Sequence, residues 1–194
     1  MFPLWLNIAY TLFICVLAPV YLRQYGATNF LWFSDIALFV ALVALWFENG
    51  LLASMMAIAV VVLEVAWNVD FFVRLVTGAN LIGLSDYMFD AKINLAIRAL
   101  SLFHLILPPL LIWMVYRLGY DSRALAAQTI LAWIVLPLCR LLSTPTENVN
   151  WVYGFGSKPQ TLLPAPLYIA LLMAGFPLLI YVPSHFLLKK MFGQ

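Results

Sequence analysis

Six apolar runs divide the sequence, at roughly residues 3–22, 30–47, 51–76, 93–116, 123–142 and 164–188. Each holds about 18–26 residues, enough to cross a ~30 Å hydrocarbon core at 1.5 Å per residue. The punctuation between them is clear. Arg23-Gln24-Tyr25-Gly26 ends the first run, and Glu48-Asn49-Gly50 makes a tight turn after the second. Gly119-Tyr120-Asp121-Ser122 turns into the fifth, where Asp121 or Ser122 can cap the helix. The pattern predicts an all-α, polytopic transmembrane bundle of about six helices, one domain over residues 1–194.

Two connections are longer. Residues 77–92 open with Thr77-Gly78-Ala79-Asn80 and carry Tyr87-Met88-Phe89, which predicts a short interfacial or re-entrant element. Residues 143–163 include Glu147, Asn148, Asn150 and Trp151, then Gly154, Gly156 and Pro159. Long loops in a small protein tend to carry function. Pro108, Pro109, Pro137 and Pro177 fall in or near spans, where neighbours can satisfy the carbonyls they free.

Alternating the helix directions sorts the polar residues by depth. With the N-terminal end called A and the other B, Ser34 and Asp35 lie about one turn inside B. Glu64 falls near the middle of the third run, and Asn68, Asp70 and Arg74 in its B half. Arg98, Ser101 and His104 go progressively deeper from B, and Arg140 ends the fifth run there. The A halves are almost wholly aliphatic and aromatic. A charge inside a span costs about 2.5–3.5 kcal/mol on insertion scales, so such groups face the bundle interior and pair. Their common depth predicts one shared polar pocket at B. Asp70 and Arg74 are i,i+4 neighbours with Trp67 on the same flank, which predicts an Asp70–Arg74 pair. Glu64 reads as a protonated interhelical hydrogen-bonder, and His185 as a surface residue without a chemical role.

Composition narrows the setting. The chain is 65% hydrophobic and 9% charged, against roughly 25% charged in an average soluble domain. Such a chain cannot cover itself with polar groups, so lipid is its solvent. A net charge of +2, with no basic run beyond Lys189-Lys190, does not suggest nucleic acid. Cys15 and Cys139 read as buried, inert thiols. The first run lacks a basic leader and a small-residue cleavage site, and reads as a retained helix. Excluding the intramembrane arginines, A keeps Arg117, Arg123, Lys189 and Lys190 while B keeps Arg23, Lys92 and Lys158. Positive-inside then puts the polar pocket on the extracytoplasmic side, in a bacterial inner membrane; counting the arginines reverses it. Two histidines on opposite sides build neither a bis-His haem nor a multi-His metal site, so no cofactor and no metal are expected.

Three segments carry a family resemblance. Phe30-Leu31-Trp32-Phe33-Ser34-Asp35-Ile36-Ala37-Leu38 resembles a helix beginning Pro-Leu-His-Leu-Cys-Asp. The histidine of Leu100-Ser101-Leu102-Phe103-His104 resembles a lone mid-helix histidine. Asn148-Val149-Asn150-Trp151-Val152-Tyr153, with Lys158-Pro159 and then Pro164-Ala165-Pro166-Leu167-Tyr168, is similar to an Asn-Tyr-Met and Lys-Pro loop before a Pro-rich last helix. Together they resemble the YwaF-like bacterial membrane proteins and their eukaryotic relatives, acyltransferases of ether phospholipids, over roughly residues 30–185. Ser34 stands where that family has its cysteine, and Trp32 where it has a histidine. The resemblance implies that Ser34 attacks, that His104 is the base, and that Asp35 or Asn148 orients the base or donates to an oxyanion.

Three functions stay open at this point. The first is a lipid acyltransferase or hydrolase with Ser34, Asp35 and His104 as catalytic residues. The second is a small-solute transporter or binding protein. Its pocket would be lined by Trp67, Asp70, Arg74, Arg98, Arg140, Asn148, Asn150 and Trp151, with a homodimer supplying the symmetry that six unrepeated spans lack. The third is a non-catalytic subunit of a larger membrane complex. In each, membrane lipid is the expected partner.

Overall fold

The structure, a computed structural model, describes residues 1–156 and 158–193. The described residues are helical, with no strand among them. The helices are α1 (Leu4–Tyr25), α2 (Phe33–Phe47), α3 (Gly50–Thr77), α4 (Leu95–Leu100), α5 (Phe103–Leu118), α6 (Ala124–Leu142), α7 (Ala165–Gly175) and α8 (Val182–Phe192). A π-helical stretch, Phe176–Tyr181, joins α7 to α8 into one rod. Five helical rods are long and apolar enough to cross a membrane: α1, α3, α4–α5, α6 and α7–α8. The protein is therefore an integral membrane protein. The second run gives only the 15-residue α2, about 22 Å at 1.5 Å per residue, preceded by a 3₁₀ turn at Ala27–Leu31.

Backbone contacts fix the directions. The Phe2 amide donates to Glu48 Oε1 at 2.7 Å, which joins the start of α1 to the α2–α3 turn. The Tyr120 amide donates to the Phe192 carbonyl at 3.1 Å, which joins the end of α8 to the α5–α6 turn. Residues 1 and 193 thus leave from end A. Glu48 turns the chain with a left-handed φ of +50°, and Asn49 caps α3 by accepting from the Leu52 amide at 3.0 Å.

Small residues let the helices approach. Ala37, Ala41 and Ala44 on α2 and Ala53, Ala57 and Ala59 on α3 are fully buried. α3 is the central helix, and the core runs from α1 through α6 to α8 without a break. Cys139 is buried as expected, but Cys15 faces outward toward lipid.

Prolines shape the rods by withholding an N–H four residues beyond a carbonyl. Pro177 frees the Met173 carbonyl, which accepts from the Trp133 indole at 2.8 Å, and the helix relaxes into its π turn there. The run at 93–116 is one rod by length but breaks at Ser101–Leu102, where amides bond three residues back rather than four. The break places His104 in the first turn of α5 rather than mid-helix.

Candidate functional site

Glu64 sits about 20 Å of helix rise before the end of α3, deep in the span, and is 3% exposed. A carboxyl there needs a partner. Its Oε2 lies 2.5 Å from His104 Nδ1. Pro108 completes the placement: it has no N–H for the His104 carbonyl, so Asn68 Nδ2 donates to that carbonyl at 3.0 Å. α3 thus grips His104 at ring and backbone, through Glu64 and, one helical turn on, Asn68. Trp67, on the same helix, stacks on the imidazole at 4.5 Å, and Phe103 packs on it at 4.0 Å.

A second carboxyl joins this centre. Asp35 is 4% exposed and within electrostatic reach of Glu64. Its Oδ2 accepts from Asn29 Nδ2 at 3.2 Å, while Oδ1 has no partner among the described residues. The hydroxyls of Tyr21 and Tyr25 lie near Asp35, and Tyr21 shares a 2.6 Å hydrogen bond with Ser101. Tyr87, from the loop after α3, inserts beside Ser101, and burial holds its hydroxyl neutral, well above the usual phenol range. Five segments therefore converge on one buried centre: α1, α2, α3, the 86–89 turn and the α4–α5 junction.

The other predicted residues do not share it. The expectation of a single pocket is corrected, because each charge found nearer partners in the long loops. Asp70 does not pair with Arg74. Its Oδ1 accepts the amides of Ile82 (2.7 Å) and Gly83 (3.0 Å), and its Oδ2 the amide (2.9 Å) and hydroxyl (2.7 Å) of Ser85. Loop amides have no helical partner, so they claim the carboxylate. Arg74 instead pairs with Asp86 and lies over the Phe89 ring at 4.8 Å. Arg98 donates through Nη1 to the Met88 carbonyl at 2.8 Å, leaving its Nε unpartnered among the described residues. These residues fold the 78–94 loop over Trp67, whose ring packs on Phe71. The expected short element in that loop is present, as a 3₁₀ turn at Asp86–Phe89.

The 143–156 loop closes the far side of α2. Asn150, 1% exposed and at φ +50°, accepts from the Phe33 amide at 3.1 Å and donates to the Leu31 carbonyl at 2.7 Å. It thereby caps α2 from across the bundle. Asn148 (φ +44°) donates to the Gly154 carbonyl at 2.7 Å and accepts from the Tyr153 amide at 2.9 Å, so it braces its own loop and does not orient His104. Trp151 (φ +58°) packs between Trp32 and Phe176. Arg140 covers the Tyr153 ring at 4.2 Å. Glu147 is held ionised, below the usual carboxylate range, chiefly by the Thr28 hydroxyl, and ties this loop to the 27–31 turn. Three non-glycine residues at positive φ within four positions persist only where surroundings over-determine them. Asn150→Ala should therefore lower stability by about 1–3 kcal/mol, read as a fall in detergent-solubilised melting temperature. A melt like the wild type would show that the cap is dispensable.

No family model, curated protein or solved structure matches the chain. No cluster of three or more metal-ligating side chains occurs among the described residues. Ser34 is half-buried on α2, and no hydrogen bond joins it to His104. His185 departs from its expected surface role. It is 7% exposed and shares a 2.8 Å hydrogen bond with the Tyr120 hydroxyl. Glu64 was legible as a buried hydrogen-bonder, but its link to His104 needed the α4–α5 break, which leaves no strong sequence signal.

Proposed function

We propose that the protein is a membrane-embedded enzyme that transfers or hydrolyses acyl groups of lipid, with His104 as its base. The observation that carries this reading is the 2.5 Å contact between Glu64 and His104 Nδ1 in a buried setting. A carboxylate on Nδ1 fixes the imidazole with its proton on that nitrogen and leaves Nε2 as an acceptor, the state a general base needs. Glu64 then has the orienting role that sequence reasoning gave to Asp35 or Asn148, and it steadies the imidazolium once a proton arrives.

Ser34 is the proposed nucleophile. Its Oγ would attack the ester carbonyl while its proton passes to His104 Nε2, and the leaving alkoxide would take that proton back. A second hydroxyl compound or water would then release the acyl group from Oγ. The resemblance to the YwaF-like acyltransferases points to the same residues. The apolar surroundings suit a lipid substrate, and a cation count that leaves out Arg74, Arg98 and Arg140 puts the site on the extracytoplasmic side of a bacterial inner membrane, whereas one that includes them puts it on the other.

Reconstituted protein supplied with a labelled phospholipid and a lysolipid acceptor tests this. Wild type should move or release label, and both Ser34→Ala and His104→Ala should fall to background. Turnover unchanged in Ser34→Ala but lost in His104→Ala would leave water as the attacking group and make the protein a hydrolase. Turnover indifferent to both would end the proposal.

One observation favours a second reading. Asp35 lies within electrostatic reach of Glu64, and Glu64 bonds His104, so three ionisable groups from three helices form a chain, an arrangement that proton-coupled transporters use. In that case proteoliposomes would show solute uptake driven by a pH gradient, abolished by Asp35→Asn, with no acyl turnover.

A further inference from the structure

The A end holds a feature that the catalytic reading does not use. Ser122, in the turn before α6, and Ala126, Thr129 and Trp133 on α6 line an open, mainly apolar groove, completed by His185 of α8. Its volume is about 560 Å³, within the range that holds small ligands. From the start of α6 at Ala124 to Trp133 is roughly 14 Å of helix rise, a little under half a ~30 Å hydrocarbon core. Ala126 is exposed and small, which gives the groove its floor.

The mouth carries two lysines beyond its one acid–base pair, Asp121 with Arg123. The Tyr120–Phe192 backbone bond brings the end of α8 to the start of α6. Lys189 and Lys190 are exposed there, and Lys189 stands near His185. Among the described residues no carboxylate pairs with either lysine, whereas Asp121 is already taken up by Arg123 at 2.6 Å. Burial pushes the Tyr120 hydroxyl up to about 12, so it keeps its proton and can donate to His185 Nδ1. The other ring nitrogen then carries a proton and has no partner on Tyr120.

We infer that this groove holds one acyl chain of an anionic phospholipid, with the phosphate at Lys189 and Lys190 and the His185 Nε2–H donating to the headgroup or ester region. The length, the apolar walls and the unpaired cations at one mouth each fit that occupant. A zwitterionic lipid would fit the walls but not the mouth, and a helix of a second copy would bring no phosphate.

Native mass spectrometry of the full-length protein in detergent, supplied with equal amounts of phosphatidylglycerol and phosphatidylcholine, tests the inference. Wild type should retain phosphatidylglycerol in preference by about thirtyfold, the gain expected from two lysines near a membrane surface. Lys189→Gln with Lys190→Gln should bring the two lipids to parity. Ala126→Trp fills the groove from an exposed position without touching the core, and should lose the retained lipid altogether. Equal retention of both lipids by wild type would overturn the inference, as would phosphatidylglycerol retention unaffected by Ala126→Trp. A dimer in which that same substitution separates the copies would assign the groove to a second chain instead.

Discussion

Replacing Glu64 with alanine should lower stability by about 1–3 kcal/mol, the loss seen when a buried donor is left without its acceptor, and more for the cavity that the missing side chain leaves. The imidazole of His104 would keep its place between Trp67 and Phe103 but lose the acceptor on Nδ1. In detergent this should appear as a large fall in melting temperature. Glu64→Gln preserves shape and an acceptor oxygen, so it should melt closer to wild type. Under the catalytic reading the glutamine variant should still lose turnover by roughly 10²–10⁴-fold, because an amide neither fixes the tautomer as firmly nor stabilises the imidazolium. Stability lost without turnover, or turnover lost without stability, separates scaffold from chemistry. A Glu64→Ala protein that melts like wild type would show that the pair does not hold α3 to α5.

Asp70→Ala should have the second largest effect, concentrated in the loop after α3. The carboxylate accepts four hydrogen bonds from Ile82, Gly83 and Ser85, and hydrogen bonds to charged groups contribute about 1.5–3 kcal/mol each. They act as one unit, so their loss is not the sum of four. The expected outcome is a local one: residues 78–94 exchange amide hydrogens at least tenfold faster, and limited proteolysis cuts between Gly78 and Lys92 while the helices stay intact. Asp70→Asn should sit between, since an amide oxygen still accepts but carries no charge. Unchanged exchange in Asp70→Ala would mean that Arg74, Asp86 and Arg98 alone hold the loop.

These two residues also show what could be read from the sequence. The apolar runs reported the fold directly, because run length and hydrocarbon thickness are the same physical quantity. Five of six became rods long enough to cross. α2 came out short, since Asn150 from 117 positions away caps it at Phe33, and no local signal marks that partner. Asp35 and His104 were legible as buried polar groups needing company. Their company was not legible, because a helix break at Ser101 and a carbonyl freed by Pro108 decide where His104 points. Asp70 and Arg74 had the spacing to pair but not the incentive: helical neighbours lost to unbonded amides and a carboxylate in the adjoining loop. The same competition drew Asn148 into bracing its own turn.

The bonds from Phe2 to Glu48 and from Tyr120 to Phe192 have an experimental corollary. Because both tails of the described chain emerge at one face, a reporter enzyme that works only outside the cytoplasm should be active at both ends or silent at both. A pair of fusions therefore reads the sidedness of the opposite face, where the 78–94 and 143–156 loops lie, from two independent attachments.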